Sequence, residues 1–600
     1  MRVLRSESGR NVSSALMAIA LMAIALSVVA VALTHSAGPA TPNWNKPPTL
    51  DFPLAGGSYS NQRYSALKQI DRSNITKLGG VWTMKVEEPR LGGTLDGTPV
   101  VVDGVMYVTT GARNVLALDV KTGDVKWRYR PESPEGKTGA NKGVVVADGK
   151  VIFGRRDNIL IALDQHTGRV VWQTPTTTQR AAYSSAAPVY YDGLVFIGVA
   201  GGDGAVRGAV AAYDVKTGKQ VWKFNTIPGP GERFSDTWEA DTHRWGGGVW
   251  NHVALDPDLG MIYVGVGNAG PDTDGRLRGG DNLFTASILA LDLKTGAYKW
   301  HFQEVHHDVW DYDAASPPVL ADITYRGGLR KVLMHAGKTG FLYILDRTNG
   351  KPLIGVEEKS VRQEVRIKTA QTQPFPVGDR FVPLCPEPLG AYEQGCLFTP
   401  FWDKPVLIFP GSSGGNAWAP MTFSPQTNLA YIPASFMATV YTSKYDEFDE
   451  TSGTFKKIGG GDGFVRPPGA QRSGTLTAMD PTTNTIVWQK QTTYPMGTGS
   501  GLLSTAGGLI FHGESDGNLV AYDIRNGEEL WKFQTGAGAN GPVSTFEADG
   551  EQYVAVMAGG NNILLSPRGD FLWTFKLGGT LPQAPPGRQP PLIHPGPTPR

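Results

Sequence analysis

The chain has 600 residues, and its 56 lysine and arginine residues nearly balance its 55 aspartate and glutamate residues, which leaves a net charge of +1. This balance gives no electrostatic basis for binding nucleic acid. Hydrophobic residues make up 40% of the chain and supply ample core, while its 76 glycines suit a fold with many tight turns.

The first forty residues are predicted to form an export sequence and not part of the fold. Arg2, Arg5 and Arg10 precede an uncharged run over residues 11–33, whose apolar part covers residues 15–33. Positive charge followed by an apolar run is typical of a secretory signal. The run also reaches the lower end of membrane-spanning length, so a cleaved signal and a retained N-terminal membrane anchor are both open. In either case the rest of the chain is predicted to be periplasmic, soluble or anchored to the inner membrane.

One phrase, Ala-x-Asp-x-x-Thr-Gly-x-x-x-Trp or a close variant, recurs seven times after this segment. The Asp can accept hydrogen bonds from the backbone of the turn that it opens, and the Gly, or Asn484 in one copy, supplies a positive φ. The Trp lies on the return strand, where stacked copies can bury it. Each copy therefore predicts one β-hairpin with a docked tryptophan. The copies cover residues 117–127, 162–172, 212–222, 290–300, 344–354, 478–488 and 521–531.

The spacing of the copies predicts an all-β fold, an eight-bladed propeller over residues 41–580. The short intervals match a four-stranded blade of roughly 40–50 residues, and the longer intervals carry insertions. Seven hairpins give seven blades. Strands at residues 80–86, 552–558 and 572–577 can pair into an eighth blade, which would close the ring and remove exposed sheet edges. A linear array of hairpins is the alternative, but it leaves edges that need capping.

The two cysteines of the chain, Cys385 and Cys396, are expected to form a disulfide in an oxidising compartment. The sequence has no Cys-x-x-Cys-His motif, so no covalently attached haem is expected. Beyond the last predicted strand, residues 581–600 are rich in proline and are predicted to form an extended tail.

Several segments outside the repeat are distinctive, among them NQRYSALKQIDRSNITKL at residues 61–78, VWDYDAASPPVL at 309–320 and GKTGFLYILDRTNGK at 337–351. They resemble the quinoprotein alcohol dehydrogenases, which use pyrroloquinoline quinone (PQQ) on an eight-bladed propeller, and the resemblance covers roughly residues 50–575. HHDVWDYD at residues 306–313 also resembles the membrane-bound glucose dehydrogenase branch. The resemblance implies a quinone cofactor beside a metal ion.

This resemblance implies a catalytic base and four metal ligands. Asp311 matches the family's base, which takes the hydroxyl proton of the alcohol and also touches the metal ion. Asp203, where the family has Glu, and Asn268 match two further ligands. Asp313 matches the additional carboxylate of lanthanide-using members, although capping of a turn explains it equally well. Such a set of oxygen ligands suits Ca²⁺ or a lanthanide ion and not zinc.

The resemblance also implies the residues around the cofactor. Trp250 matches the indole that stacks under the quinone plane. Lys338 matches the cation beside the quinone oxygens, where it stabilises developing negative charge. Ser185 matches a hydroxyl near a cofactor carboxylate, and Gly201 and Gly202 match two backbone contacts. Asp96 stands at an acidic position of the family, Lys142 at a basic position and Asn416 at the position of an amide.

The chain departs from the family pattern over the cofactor. The adjacent cysteines of most alcohol-oxidising members are absent from residues 139–149, as they are from the glucose branch. Gly248 replaces a Thr, and a late Trp is replaced near Gly499, so the pocket is expected to be loosened. His306 and His307 are adjacent on a predicted strand and point to opposite faces, which argues against a shared zinc ion.

These features predict an exported, PQQ- and metal-dependent dehydrogenase that oxidises an alcohol to an aldehyde or ketone by hydride transfer to PQQ. Because no haem motif is present, electrons are expected to pass to a separate cytochrome c or quinone. A PQQ-dependent sugar or polyol dehydrogenase is the alternative within this class. A non-catalytic propeller scaffold is the alternative from another class, and it would not need the predicted ligands to converge.

Overall fold

A computed structural model describes residues 44–86, 94–131, 139–240, 242, 244–442, 445–449, 454–458 and 464–594. The predicted export segment, residues 1–40, lies outside these ranges, as do residues 595–600 of the predicted tail. From Trp44 onward the described chain forms one compact unit. It is built almost entirely of β-strands, and no helix within it is long and apolar enough to cross a membrane.

Four antiparallel sheets of four strands each, here called sheets 1 to 4, follow one another in the first half of the described chain. Sheet 1 comprises Val100–Val102, Val105–Thr109, Val115–Asp119 and Val125–Tyr129; sheet 2, Val145–Ala147, Lys150–Gly154, Ile159–Asp164 and Val170–Pro175; sheet 3, Val189–Tyr191, Leu194–Val199, Ala209–Asp214 and Gln220–Asn225; sheet 4, Ala254–Asp256, Met261–Gly265, Ser287–Asp292 and Tyr298–Gln303.

Sheets 5 to 7 continue the series and each contain one of the last three copies of the repeat. Sheet 5 comprises Val319–Tyr325, Gly328–Ala336 and Leu342–Asp346; sheet 6, Thr422–Ser424, Leu429–Phe436, Ser473–Asp480 and Thr485–Thr492; sheet 7, Leu503–Thr505, Leu509–Gly513, Asn518–Asp523 and Glu529–Gln534, with Tyr64–Ser65 added parallel to its first strand.

Sheet 8 joins the two ends of the chain. The early strand Leu78–Lys85 pairs antiparallel with Phe571–Leu577, which continues to Glu551–Ala558 and Ser544–Ala548. These are the terminal strands that the sequence predicts to pair. The described part of the predicted tail, residues 581–594, has no regular secondary structure and packs against the sheets. Leu581 N donates to Gly80 O (2.9 Å), and Arg472 N donates to Leu592 O (2.8 Å).

Six of the seven copies form the predicted hairpin, and the tryptophan of each docks on the following sheet. The copy at residues 344–354 has Ile354 in place of the tryptophan, and its return side pairs only through the bridge between Leu345 and Pro352. In the second copy, Asp164 Oδ1 accepts from Thr167 N (2.8 Å), and Gly168 closes the turn with a φ of +70°. A Cβ on Gly168 would lie 2.5 Å from the Trp127 ring, so the indole lies directly on this turn. Trp127 Nε1 then donates to Gln165 O (2.9 Å). The same bond recurs from Trp172 to Val215 O, from Trp222 to Leu293 O and from Trp300 to Arg347 O.

Two insertions around sheet 6 build a small additional sheet from Glu393–Gly395, Val406–Ile408, Thr439–Tyr441 and Phe464–Val465. Cys385 and Cys396 are bonded within the first insertion, as the sequence predicts. The insertions cover one end of the sheets and carry several residues of the site described below. The remaining short elements are the strand pairs Trp245–Gly246 with Ala269–Gly270, Val356–Ser360 with Thr372–Pro376 and Tyr445–Asp449 with Thr454–Ile458, and the 3-10 turns Ile75–Lys77, Ser235–Thr237, Gly275–Leu277 and Val365–Ile367.

Candidate active site

A cavity of about 610 Å³ is lined by loops that connect successive sheets and by loops within sheets 2, 3 and 5. Segments far apart in the sequence meet there because most of the sheets contribute loops to it. Most of the residues singled out from the sequence lie in its wall: Asp96, Lys142, Ser185, Gly202, Asp203, Trp250, Asp311, Asp313 and Lys338. The other three adjoin it. Gly201 precedes Gly202, Asn416 precedes the lining residue Ala417, and the Asn268 side chain packs on Gly202, where an added Cβ would lie 3.2 Å from Asn268 Oδ1.

Asp311 and Asp313 share one ammonium group. Lys338 Nζ lies 3.0 Å from Asp311 Oδ1 and 2.9 Å from Asp313 Oδ2, and it also donates to the backbone oxygen of Asp311. Burial alone lowers the pKa of Lys338, but the two carboxylates outweigh it and raise the pKa. Burial raises the pKa of Asp311 well above its usual range, with Lys338 opposing this effect. Lys338 is therefore held as a cation beside the candidate base.

The second part of the acidic cluster surrounds Asn268. Asn268 N donates to Asp313 Oδ1 (2.6 Å), and its amide Nδ2 donates to Asp272 Oδ1 (2.9 Å). The Asp203 side chain is exposed to the cavity. Desolvation by the surrounding protein and the charges of Asp272 and Asp313 raise its pKa to about 7. Asp272 belongs to this cluster although the sequence did not single it out; its only signal is its place four residues after Asn268 in the same loop.

These side chains fit a hard cation by their chemistry. Among the described residues no three Asp, Glu, His or Cys side chains lie close enough together to hold a metal ion, and Lys338 is the cation that Asp311 and Asp313 share. Asp203 and Asp272 add two more carboxylates near this one ammonium group, and desolvation together with the charges of Asp272 and Asp313 raises the pKa of Asp203. A calcium or lanthanide ion, which prefers carboxylate and amide oxygens, would supply the missing charge.

The loop at residues 306–313 is held in place by Asp308. Its Oδ1 accepts from Trp310 N (2.9 Å) and its Oδ2 accepts from Tyr312 N (2.8 Å), so both neighbours of Asp311 are fixed by one buried carboxylate. Asp311 itself has a φ of +63°, a left-handed conformation that such contacts stabilise. Asp308 is thus a positioning residue for the candidate base.

His306 and His307 lie in a turn after the strand Tyr298–Gln303 and not on a strand, so the strand prediction is wrong here. The two rings have different surroundings. His306 lies beside Gln303 Oε1 (2.8 Å) and Glu358 Oε1 (3.3 Å). His307 is buried between the backbone oxygens of Gly280 (2.7 Å) and Ile367 (2.8 Å). Their partners are structural, and the rings do not face one point.

The insertions support the same loop from outside. Trp310 Nε1 donates to Thr399 O (2.8 Å), and Tyr441 Oη donates to Trp310 O (2.7 Å). Trp310 is fully buried and stacks near Tyr312, with 5.9 Å between the ring centroids. The chain inserted before and within sheet 6 therefore fixes the residue next to Asp311, a role that the sequence spacing alone did not reveal.

Trp250 forms one wall of the cavity. Its backbone oxygen accepts from Ser185 Oγ (3.0 Å), and Lys142 Nζ lies 4.9 Å from the centre of its ring. The ring also meets Trp418 edge-on, with 6.1 Å between the centroids. Burial lowers the pKa of Lys142 to about 8 and raises the pKa of Asp96, and each charge opposes the shift of the other. This wall offers an aromatic ring with a cation over one of its faces.

Little space is left beside the two positions at which the sequence predicts a loosened pocket. At Gly248 an added Cβ would lie 3.1 Å from Gly202 N, so the backbone of the neighbouring loop occupies the adjoining space. At Gly499 an added Cβ would make ordinary contact with Asn540 at 3.5 Å. The looser cofactor pocket stays a prediction.

Further polar residues line the cavity without having been predicted. The Arg156 guanidinium lies 3.9 Å from the centre of the Tyr183 ring, and Arg466 Nη2 donates to Ser413 Oγ (2.8 Å). Arg156 and Tyr183 follow or precede strand ends of sheets 2 and 3, where loop residues reach the axis. Asn416 is 1% exposed and neither atom of its amide has a hydrogen-bond partner among the described residues, which leaves it available to a ligand.

Comparisons with known proteins agree with this geometry. Residues 52–554 match the family described as PQQ: Glucose/ethanol/alcohol dehydrogenase, beta-propeller domain. A quinohemoprotein alcohol dehydrogenase of Comamonas testosteroni is 37% identical over 545 residues, which cover 85% of this chain and 73% of that protein.

Two solved structures extend the comparison. The quinohemoprotein alcohol dehydrogenase ADHIIG of Pseudomonas putida HK5 has a TM-score of 0.75 and 33% identity, covering 91% of this chain and 83% of that one. A europium-containing methanol dehydrogenase has a TM-score of 0.72 and 27% identity, covering 89% of this chain and 99% of that one.

Proposed function

Since the chain belongs to the PQQ-dependent alcohol dehydrogenase family, we propose that it oxidises an alcohol to an aldehyde or ketone, with Asp311 as the base. The observation that carries the proposal is the position of Asp311. Its carboxylate lines the same cavity as Trp250 and Lys338 and is 17% exposed, open to a substrate yet shielded from bulk water.

The chemistry divides between the cofactors and the chain. When bound, PQQ would supply a two-electron acceptor for the hydride of the alcohol, and a Ca²⁺ or lanthanide ion would supply Lewis-acid chemistry. Asp311 takes the hydroxyl proton, and its burial, which raises its pKa, makes it a stronger base than an exposed carboxylate. Lys338 places a fixed positive charge where negative charge develops.

The remaining side chains bind and orient the cofactors. Trp250 supplies a flat face for a planar ring system, with Ser185 fixing its backbone. Lys142 lies over the Trp250 ring, and its charge interacts with that of Asp96. Asp203, Asn268 and Asp313, together with Asp311, would hold the metal ion, and Asp272 orients the Asn268 amide.

Three finer points belong to the same proposal. Sheets 1 to 8 act as eight blades of a ring that sheet 8 closes. The protein works in the periplasm, and its electrons pass to a separate cytochrome c or quinone, consistent with a sequence that lacks a haem-attachment motif.

A sugar or polyol substrate is the second candidate, supported by the hydroxyl and guanidinium groups of Ser412, Ser413 and Arg466 in the cavity wall.

The proposal is tested by reconstituting the purified chain with PQQ and either Ca²⁺ or La³⁺ and following dye reduction with primary alcohols, polyols and aldoses. Turnover that needs both PQQ and metal supports it. No turnover with any substrate, together with no binding of PQQ, would instead favour a non-catalytic scaffold.

A further inference from the structure

Arg466 extends the cavity wall on the side of the insertions. It directly follows the strand Phe464–Val465, part of the small sheet that also contains Thr439–Tyr441. Most of its side chain is buried, and burial lowers the pKa of the guanidinium. An Arg side chain nevertheless stays charged at physiological pH.

The cations of the cavity fall into separate groups. Asp96 interacts electrostatically with Lys142 and Arg156, and Lys142 lies over the Trp250 ring. Arg466, by contrast, interacts with Asp311. The first group therefore belongs to the aromatic wall proposed to bind the cofactor. Lys338 is the cation paired with Asp311 and Asp313, and Arg466 is a second cation of the cavity wall whose charge reaches Asp311.

The guanidinium of Arg466 is held in one orientation at the cavity wall. Its Nη2 donates to Ser413 Oγ (2.8 Å). Its Nε is buried away from the cavity, and within the described residues it has no hydrogen-bond partner. A ligand in the cavity would therefore meet the terminal nitrogens, and a guanidinium held in this way is suited to donate to an oxygen.

We propose that Arg466 is a specificity-determining residue that donates hydrogen bonds to a second oxygen of the substrate, carried one or two carbons from the carbinol carbon. The substrate is then an alcohol with a further hydroxyl or carboxylate group and not a plain aliphatic alcohol. This inference rests on the proposed function and specifies the substrate class of the same site. Ser413, which fixes the guanidinium, acts as its positioning residue.

The test compares three substrates of similar size on the PQQ- and metal-loaded enzyme: 1-propanol, 1,2-propanediol and 3-hydroxypropionate. In the native protein, kcat/KM is expected to be higher for at least one of the two oxygen-bearing substrates than for 1-propanol. In Arg466→Gln the ratio of that kcat/KM to the value for 1-propanol should fall by about tenfold to a hundredfold, the effect of losing a charged hydrogen bond to a substrate oxygen. A higher kcat/KM for 1,2-propanediol would identify the second substrate group as a hydroxyl, and a higher value for 3-hydroxypropionate would identify it as a carboxylate.

Arg362→Gln removes an exposed guanidinium elsewhere on the insertion, with 68% of its side chain accessible, and should leave the ratio unchanged. The affinity for PQQ is measured in parallel by quenching of tryptophan fluorescence. Three results for Arg466→Gln would each overturn the role of Arg466. These are an equal loss of kcat/KM with all three substrates, an unchanged ratio of kcat/KM relative to 1-propanol, and a tenfold fall in the affinity for PQQ. If the loaded native enzyme oxidises no alcohol at all, the proposed function itself fails, a result distinct from these.

Discussion

At the scale of single residues, the site is organised by contacts between oppositely charged side chains in a confined space. Lys338 connects Asp311 to Asp313, and Asp313 in turn binds the backbone of Asn268. Because these residues come from loops of different sheets, a change at one of them alters the charge felt by the others. The catalytic and metal-binding roles can therefore be separated only by substitutions with distinct readouts.

Asp311→Asn keeps the size of the side chain but removes the proton acceptor. We expect kcat to fall by about a hundredfold to ten-thousandfold, the usual contribution of a general base. The rate is measured with saturating PQQ and metal ion, and bound PQQ is quantified in the same samples. A variant that is fully loaded and retains kcat within threefold of the native value would show that another group takes the proton.

Asp313→Ala tests the preference for a trivalent ion. Removing one anionic oxygen should abolish turnover supported by La³⁺ but spare turnover supported by Ca²⁺, because the more highly charged ion gains more from the additional carboxylate. Rates are compared after reconstitution with each ion. Asp549→Ala, at a side chain that is 73% exposed, serves as the charge-matched control. If Asp313→Ala keeps its lanthanum-supported activity, Asp313 stabilises the loop and is not a ligand of the metal ion.

The sequence placed the candidate site residues well where a recognisable family segment surrounds them. Asp311, Trp250 and Lys338 were identified in this way and lie in one cavity. Asp272 and Arg466 were not identified, because nothing in a single carboxylate or guanidinium in a loop tells which way the loop folds. Their positions depend on contacts with residues far away in the chain, which no local pattern encodes.

At the scale of secondary-structure elements, the turn glycine and the docked tryptophan are the repeating unit of stability. Gly168→Ala should destabilise the protein by about 1–3 kcal/mol more than Gly149→Ala, as measured by urea unfolding. Both glycines have nearly the same positive φ, +70° and +69°, so both alanines have the same backbone strain. Only at Gly168 would the new Cβ meet the Trp127 ring, at 2.5 Å, whereas nothing lies within 4 Å at Gly149.

Equal destabilisation by the two alanines would mean that the indole adjusts without cost and that docking is not a tight contact.

The hairpins themselves were predictable because the Asp, Gly and Trp of each copy act locally. The insertions around sheet 6 were recognised only as long intervals. Their folding against Trp310 and Tyr312 depends on burial of aromatic rings contributed by separate segments, which a spacing argument cannot supply.

At the scale of the whole molecule, buried neutral histidines link stability to pH. Burial lowers the pKa of His512, in the second strand of sheet 7, to about 4, below the 6.5 of an exposed histidine. Below pH 6.5 the unfolded chain gains a proton that the folded chain does not, so the stability that depends on the neutral ring is complete above pH 6.5 and is lost as the pH falls towards 4.

His512→Gln should therefore reduce the loss of stability between pH 6.5 and 4.5, by at most about 1.4 kcal/mol per pH unit. The free energy of unfolding in urea is measured at several pH values for both proteins, and only the difference in slope is compared. A variant with the native slope would indicate that His512 stays accessible to protons in the folded state.

The most direct test of the central claim, that loops from successive sheets together hold a cation beside a planar redox cofactor, is a crystal structure of the chain grown with PQQ and a lanthanide. The anomalous difference map locates the ion independently of the atomic coordinates. We expect one strong peak contacting oxygens of Asp203, Asn268 and Asp311, with PQQ stacked on Trp250. A peak at any other place, or a cavity that binds neither the ion nor PQQ, would contradict the account.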